Sequence, residues 1–252
     1  MLIYQRKYLH FFKLRHGLTY FDEPYEKVTA DLIREWQYSK RRKLFSSDIH
    51  TLLIDLTKTE EDIFSDFDKI TKHQINRAEA KDNFVVVTFD NDNSGEWKES
   101  FFKFYNEFAL SKNLPNIGKE EFDFLFGNNA YIVRGILYND EVLVYHSYII
   151  ANKRARLMHS ASLFRNITDT GFKNLIGRAN RLLHWDDIRY FRQHDFLVYD
   201  FGGVTVNKDN QEGQAINKFK EGFGGKLTKE YKSYIPLTLK GFIFLVCKKI
   251  IP

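Results

Sequence analysis

The chain has 252 residues, of which 43% are hydrophobic, 16% aromatic and 28% charged, a globular composition that excludes a disordered or low-complexity chain. The net charge of +5 is mild, and Cys247 is the single cysteine, which excludes an intrachain disulfide framework and makes a reducing cytoplasm the expected compartment. The N-terminal MLIYQRKYLHFFKLRHG interrupts its apolar residues with Arg, Lys and His, unlike a signal peptide, and no apolar run nears the ~20 residues of a membrane span.

In chain order, the pattern predicts a helix over Tyr25 to Lys43 and a strand over His50 to Leu56. TKTE then opens a helix as a capping box of Thr57 and Glu60, with Ile63, Phe67 and Ile70 on its buried side. A strand follows at Phe84 to Asp90, then helices over Glu96 to Ser111 and Lys119 to Phe126. Strands at Tyr131 to Tyr138, Val142 to Ile150 and Arg154 to Ser160 are joined by hairpin-type turns at Asn139-Asp140 and Asn152-Lys153. A long helix spans Thr170 to Gln193, and FLVYDFGGV (Phe196 to Val204) supplies a strand ending at an acid and two glycines. A helix at Gln214 to Gly222 and strands at Lys226 to Tyr234 and Gly241 to Lys248 complete the pattern.

This order implies an α/β, mixed-sheet fold. Short turns force the three-strand meander to be antiparallel, whereas the long helix before Phe196 lets that strand lie parallel to its neighbour. Ligands of such sheets bind outside the C-terminal ends of parallel strands, which is where Asp200, Gly202 and Gly203 fall. Asp200 before glycine also reads as plain turn chemistry, and Gly224 with Gly225 as a left-handed helix end. Basic residues gather at Ser39 to Lys43, Lys69 to Lys81 and Asn152 to Arg156, as solvated faces or as surfaces for a nucleotide, an RNA backbone or an anionic lipid. Trp185 reads as core with His184 on the surface beside it. His159 and Ser160 read as facing one region without forming a triad, and Cys247 as inert in a closing strand. His10, His16, His50 and His73 lack metal-ligand spacing, so no metal is expected.

Three stretches carry a family resemblance. They are IDLTKTEEDIFSDFDKITKHQINRAEAKDNFVVV (Ile54 to Val87), NRLLHWDDIRYFRQHDFLVYDFGGV (Asn180 to Val204) and INKFKEGFGGKL (Ile216 to Leu227). Their order resembles the FemAB-like branch, related to the Fem-type peptidyltransferases, of the GNAT acyltransferase superfamily, over Ile54 to Tyr234. The resemblance implies a GNAT-like domain over 57–252 behind a partial N-terminal lobe over 1–56, and transfer of an acyl or aminoacyl group to an amine of a cell-envelope sugar or peptidoglycan precursor. It places a catalytic role on Lys220, of the pair Phe219 and Lys220, while Asp200, beside its glycine pair, is a catalytic candidate on chemical grounds. An ammonium there can stabilise the oxyanion that amine attack creates, and a carboxylate can take the amine's proton. Phe219, Tyr199, Gly202, Gly203, Trp185, Tyr145, Ser160 and Arg165 are the candidate substrate contacts. Without the resemblance, Lys220 reads as a solvated helix residue.

Two departures bear on the donor. Acetyl-CoA users carry a Gly-rich loop after the meander, and the matching SLFRNITDTGFKN (Ser162 to Asn174) has only Gly171 and the basic Arg165. The tRNA-using enzymes of the branch have two GNAT-like units, whereas this chain shows one and a fragment. The expected donor is acetyl-CoA or another acyl-CoA, with aminoacyl-tRNA as the alternative, and a non-catalytic binding module on the same fold is the third reading. The acceptor would be a small molecule or a lipid-linked glycan, met in the cytoplasm or at the inner face of the membrane through peripheral contact.

Overall fold

The computed structural model describes residues 1–8, 12–26, 28–89, 96–162 and 167–247. Its elements are β1 (Leu2–Tyr8), β2 (Phe12–Tyr20), β3 (Leu32–Tyr38), β4 (Ser46–Asp55), α1 (Glu60–Ser65), α2 (Lys69–Lys81) and β5 (Val85–Phe89). They continue with α3 (Glu96–Ser111), α4 (Lys119–Gly127), β6 (Tyr131–Tyr138), β7 (Glu141–Ala151), β8 (Arg154–Ser162) and α5 (Thr170–Gln193). β9 (Val198–Gly203), α6 (Gln211–Glu221), β10 (Lys226–Pro236) and α7 (Leu239–Cys247) follow. The chain divides into two units, the first made of Met1–Leu52, Gly203–Gln214 and Leu227–Pro252, the second of Leu53–Gly202 and Ala215–Lys226.

The second unit holds strands in the order β9-β8-β7-β6-β5. β5 to β8 form the antiparallel meander. Its turns use Asn139 and Asp140 (φ 50° and 63°) and Asn152 and Lys153 (φ 45° and 55°), the left-handed pair that matches strand twist in a two-residue hairpin. α5 carries the chain back, so β9 lies parallel to β8, with Arg154↔Val198, Ala155↔Tyr199 and Arg156↔Asp200 in register. The recorded pairing stops there, although β8 runs on to Ser162 and β9 to Gly203. The parting of the parallel strands thus begins at Asp200.

Aromatic side chains fill the space between meander and helices. Phe101, Phe122 and Phe126 are buried, with Phe101 5.3 Å from the Tyr145 ring and Phe122 5.0 Å from Tyr131. On the other face, Ile176, Ala179, Leu183, Ile188 and Phe191 of α5 are buried. Asp82 caps the end of α2, and its carboxylate takes two hydrogen bonds from the buried Arg178 guanidinium, fixing α2 against α5.

The first unit orders its strands β1-β2-β3-β10-β4, with β2 and β3 parallel and β3 and β10 antiparallel. Here two expectations are corrected. The segment predicted as a helix over Tyr25 to Lys43 contains β3. Its charges mimic a helical polar face, but Glu35 is buried and accepts from Tyr25 and Arg42, and the buried Gln37 donates to Glu230, so the polar residues point inward. The run from Gly241, predicted as a strand ending at Lys248, is helical to Cys247, with Lys248 outside the described residues. Apolar runs of this length fit either state by pattern. Thr238 selects the helix by accepting from the amides of Gly241 (Oγ1, 3.2 Å) and Phe242 (carbonyl, 3.0 Å).

The capping box is also corrected. Thr59 caps α1 by accepting from Asp62 N, while Thr57 bonds Asp55. The helix then stops, and Asp68 restarts it as α2 by accepting from Thr71 N at 2.6 Å. Ile70 consequently faces solvent, 66% exposed, whereas Ile63 and Phe67 are buried.

Candidate active site

The site is built in the second unit around the end of β9. Strand alternation sends Tyr199 and Phe201 to the α5 side and Asp200 to the opposite side. Asp200 is fully buried. Its Oδ2 accepts from Arg154 Nε and Nη2 (3.1 and 2.6 Å), and its Oδ1 accepts from the Gly202 amide at 2.7 Å. One carboxylate thereby ties β9 to β8 and turns its own backbone. Gly202 sits at φ 73°, and a Cβ there would lie 2.7 Å from the Leu157 carbonyl oxygen. Gly202→Ala should therefore cost about 2 kcal/mol or more, while Gly203→Ala, with open space around it, should be near neutral. Chemical denaturation of both variants checks this, and equal midpoints would refute the close-approach role.

α6 brings Phe219, Lys220 and Phe223 to the same place. Its end is held by the Asp68 amide, which donates to the Gly222 carbonyl at 2.9 Å, and by Gly224 and Gly225 at φ 71° and 92°. Phe219 and Phe223 pack 5.6 and 5.3 Å from the His184 ring. Arg181 lies over Phe219 at 4.9 Å and donates to the Gly177 carbonyl, and its Nε is buried with no hydrogen-bond partner. Burial, with the Arg156 charge adding to it and Asp200 opposing, pulls the Lys220 ammonium down to about 8. Burial also keeps His184 well below its usual range, helped by the charges of His146, Lys220 and Arg181. Lys220, Arg154 and Arg156 thus converge beside Asp200. A cavity of about 510 Å³ adjoins this cluster through Phe223, lined also by Ile54, Asp55, Lys58, Ile63, Asp66 and Gly224.

Behind the cluster runs a buried polar network. His184 Nδ1 meets the Tyr199 hydroxyl at 2.8 Å, and Tyr199 meets Tyr148 at 3.0 Å. Tyr148 donates to Asp187, whose carboxylate also takes Arg134 Nη1 and His146 Nδ1, each at 2.6 Å. His146 Nε2 lies 2.8 Å from Asn180 Oδ1 and 3.1 Å from Ser160 Oγ. His146, His184 and Asp187 are the described residues whose ligand atoms come within 4.8 Å of one another and could hold a metal. The Asp187 oxygens, however, already bind Arg134 and Tyr148, and a guanidinium there repels a cation, so this donor set fits a hydrogen-bonded network rather than an ion.

The sequence-predicted residues separate accordingly. The structure brings Lys220, Phe219, Asp200, Gly202 and Tyr199 together, and Ser160 joins through His146. Gly203 is exposed at the end of β9. Tyr145 points to the other face of β7, buried between Phe101 and Phe104. Trp185 is buried against Phe64 and Phe67, as read for the core. Arg165 lies outside the described residues, as do His10 and Asp90. His184 is buried, not on the surface, because the rings of Phe201, Phe219 and Phe223 cover it. His159 and Ser160 face opposite sides, since His159 bonds Ser147 and Tyr131 on the α3 side. Sequence reasoning placed Arg154 and Arg156 in a basic stretch without assigning them to this site, and it missed Arg181. The signal for the first two was arginine at every second residue of a predicted strand, which places both on one face.

The start of α5 tests the fit of coenzyme A, whose diphosphate would be expected after the meander. Asp169 caps that helix, accepting from the Phe172 amide at 2.6 Å, and its carboxylate sits against Gly171. An anion already occupies the end of the helix that would attract a diphosphate, so the described residues do not fit that group there.

No family model matches the chain, and no curated protein matches it. Solved structures do match. FemX is 11% identical, with a TM-score of 0.60 over 78% of this chain and 63% of that one, so the chain spans less than two thirds of FemX. L-PGS from Bacillus licheniformis is 12% identical, with a TM-score of 0.55 over 88% of this chain and 73% of that one. The C-terminal DUF2156 domain of a lysylphosphatidylglycerol synthetase candidate from Agrobacterium fabrum is 11% identical, with a TM-score of 0.54 over 87% and 72%. No helix among the described residues is long and apolar enough to cross a membrane. With its meander and its parallel β9, the chain has a mixed α/β fold similar to that of these three structures.

Proposed function

We propose that the protein transfers an acyl group from an activated ester to the amine of a cell-envelope precursor, with Lys220 as the electrophilic catalyst. The observation that supports this reading most is the Lys220 ammonium, half-buried beside Arg156 and Asp200 where β8 and β9 part. Amine attack on the carbonyl forms a C–N bond and moves an electron pair onto oxygen. A fixed cation in a low-dielectric site stabilises that oxyanion. Collapse then expels the donor's alcohol, which takes up the proton that the amine loses. Asp200, with both oxygens committed to Arg154 and Gly202, favours the charged form of Lys220 and holds the strands.

The donor is an aminoacyl ester in this reading, as in the tRNA-dependent Fem-type enzymes that the motifs resemble. Asp169 at the start of α5 is what favours it over a coenzyme A thioester. The test gives the purified protein an amine-bearing peptidoglycan precursor with either labelled aminoacyl-tRNA or labelled acetyl-CoA. Label should pass to the amine from the ester only. Transfer from acetyl-CoA alone overturns the donor assignment, and transfer from neither overturns the acyl-transfer reading.

A further inference from the structure

In the first unit, α7 has two unlike faces. Gly241, Phe244 and Leu245 form the inner one. A Cβ on Gly241 would stand 2.0 Å from the Asp31 carbonyl oxygen, and Phe244 and Leu245 are buried with Leu14 and Leu32. The orientation of the helix is thus fixed by contact. The outer face carries Leu239, Phe242, Ile243 and Val246, spaced i, i+3, i+4 and i+7, and 75%, 45%, 47% and 48% exposed. Such a stripe is what a helix normally buries.

The stripe is not alone. The Phe242 ring meets Phe45 edge-on at 6.0 Å, which places the loop before β4 beside it. In that loop Lys40, Arg41 and Lys43 are exposed, and Leu44 is 70% exposed. Arg42 turns inward to Glu35, and Arg41 meets, among the described residues, a distant acid, Asp48 at 3.8 Å, which Lys229 holds at 2.7 Å. Lys240 adds a further cation on the flank of the helix. Exposed aliphatic and aromatic groups in a row, bordered by cations, match a surface that is apolar inside and anionic outside.

We propose that this face of the first unit docks on an anionic lipid bilayer. The outer side of α7 and Leu44 enter the interface, and Lys40, Arg41 and Lys43 lie over the headgroups. The proposal does not depend on the acyl-transfer reading, because its readout is partition and not turnover.

The experiment sediments the full chain with phosphatidylcholine vesicles and with vesicles that also contain phosphatidylglycerol. The protein should pellet with the anionic vesicles and stay in solution with the neutral ones. The triple variant K40Q/R41Q/K43Q should lower partition on the order of a hundredfold. The variant F242S/I243S should lower it about tenfold or more, with circular dichroism melting showing that both variants remain folded. Equal pelleting with both vesicle types, or none with either, overturns the proposal. So does a dimer in sedimentation velocity that F242S/I243S converts to monomer without any vesicle binding, since the stripe would then join two copies of the chain.

Discussion

Replacing Lys220 by Met is expected to lower kcat about a hundredfold or more while leaving the protein at least as stable. Both halves follow from one fact, the partial burial of this ammonium. A desolvated cation acts strongly on charge that develops nearby, and it is costly to keep. Its ordinary value is 10.5 and the folded site holds it at about 8. Between those values the unfolded chain binds the proton and the folded chain does not, so stability rises with pH across the window and the full penalty applies below it. Lys220→Met removes that penalty, roughly 1 to 3 kcal/mol at neutral pH, and should raise the melting temperature there. The rate carries the opposite sign. If the ammonium is the active form, wild-type activity falls as pH rises through about 8, and the residual activity of Lys220→Met lacks that limb. A pH–rate profile that instead climbs through 8 would make neutral Lys220 the proton acceptor and remove the electrophilic role.

The second large effect concerns Asp187. It is fully buried and accepts from Arg134, Tyr148 and His146. Asp187→Ala leaves the buried Arg134 guanidinium with only Asp186 as a carboxylate partner and removes the acceptor that orients His146 and Tyr148. Breaking a buried pair on one side costs about 3 to 5 kcal/mol, because the abandoned charge stays desolvated. Asp186→Asn removes a partly exposed partner of the same guanidinium and should cost less than about 1 kcal/mol. Urea denaturation of the two variants gives the comparison. A loss at Asp187 no larger than that at Asp186 would show that the network does not hold α5 to the meander. His184 adds an acid limb. Its folded value lies well below 6.5, so protons bind preferentially to the unfolded chain and stability falls as pH drops below about that value.

The parts legible in the sequence are those where pattern and local chemistry agree. α3, α5 and β6 have the predicted bounds, and the two hairpin turns sit at the Asn-led pairs that tolerate positive φ. From these, the parallel placement of β9 follows by topology alone, and with it the location of Asp200. What was not legible depends on partners far along the chain. Glu35 and Gln37 look like surface residues until Arg42 and Glu230 are placed beside them. The apolar run of α7 becomes a helix because Thr238 and the backbone at Asp31 receive it. At the site, Lys220 and Asp200 were nameable from motifs, but Arg154 and Arg156 read only as part of a basic stretch, a solvated face or an anion surface, and Arg181 was not singled out, since nothing local states that a strand or helix will bury them. The roles of the two carboxylates were likewise not separable. Asp200 and Asp187 differ in what surrounds them, not in what precedes or follows them.

The double engagement of Asp200 also sets how the site can respond to a ligand. One oxygen is spent on the neighbouring strand and the other on its own chain two residues ahead. A pin of that kind fixes the width of the gap between β8 and β9 before anything enters it. In the acyl-transfer reading, acceptors should then be sorted by size against a rigid slot, and their binding should follow a single exponential at every concentration. A glutamate at this position, one methylene longer, would keep the charge and lose the gauge.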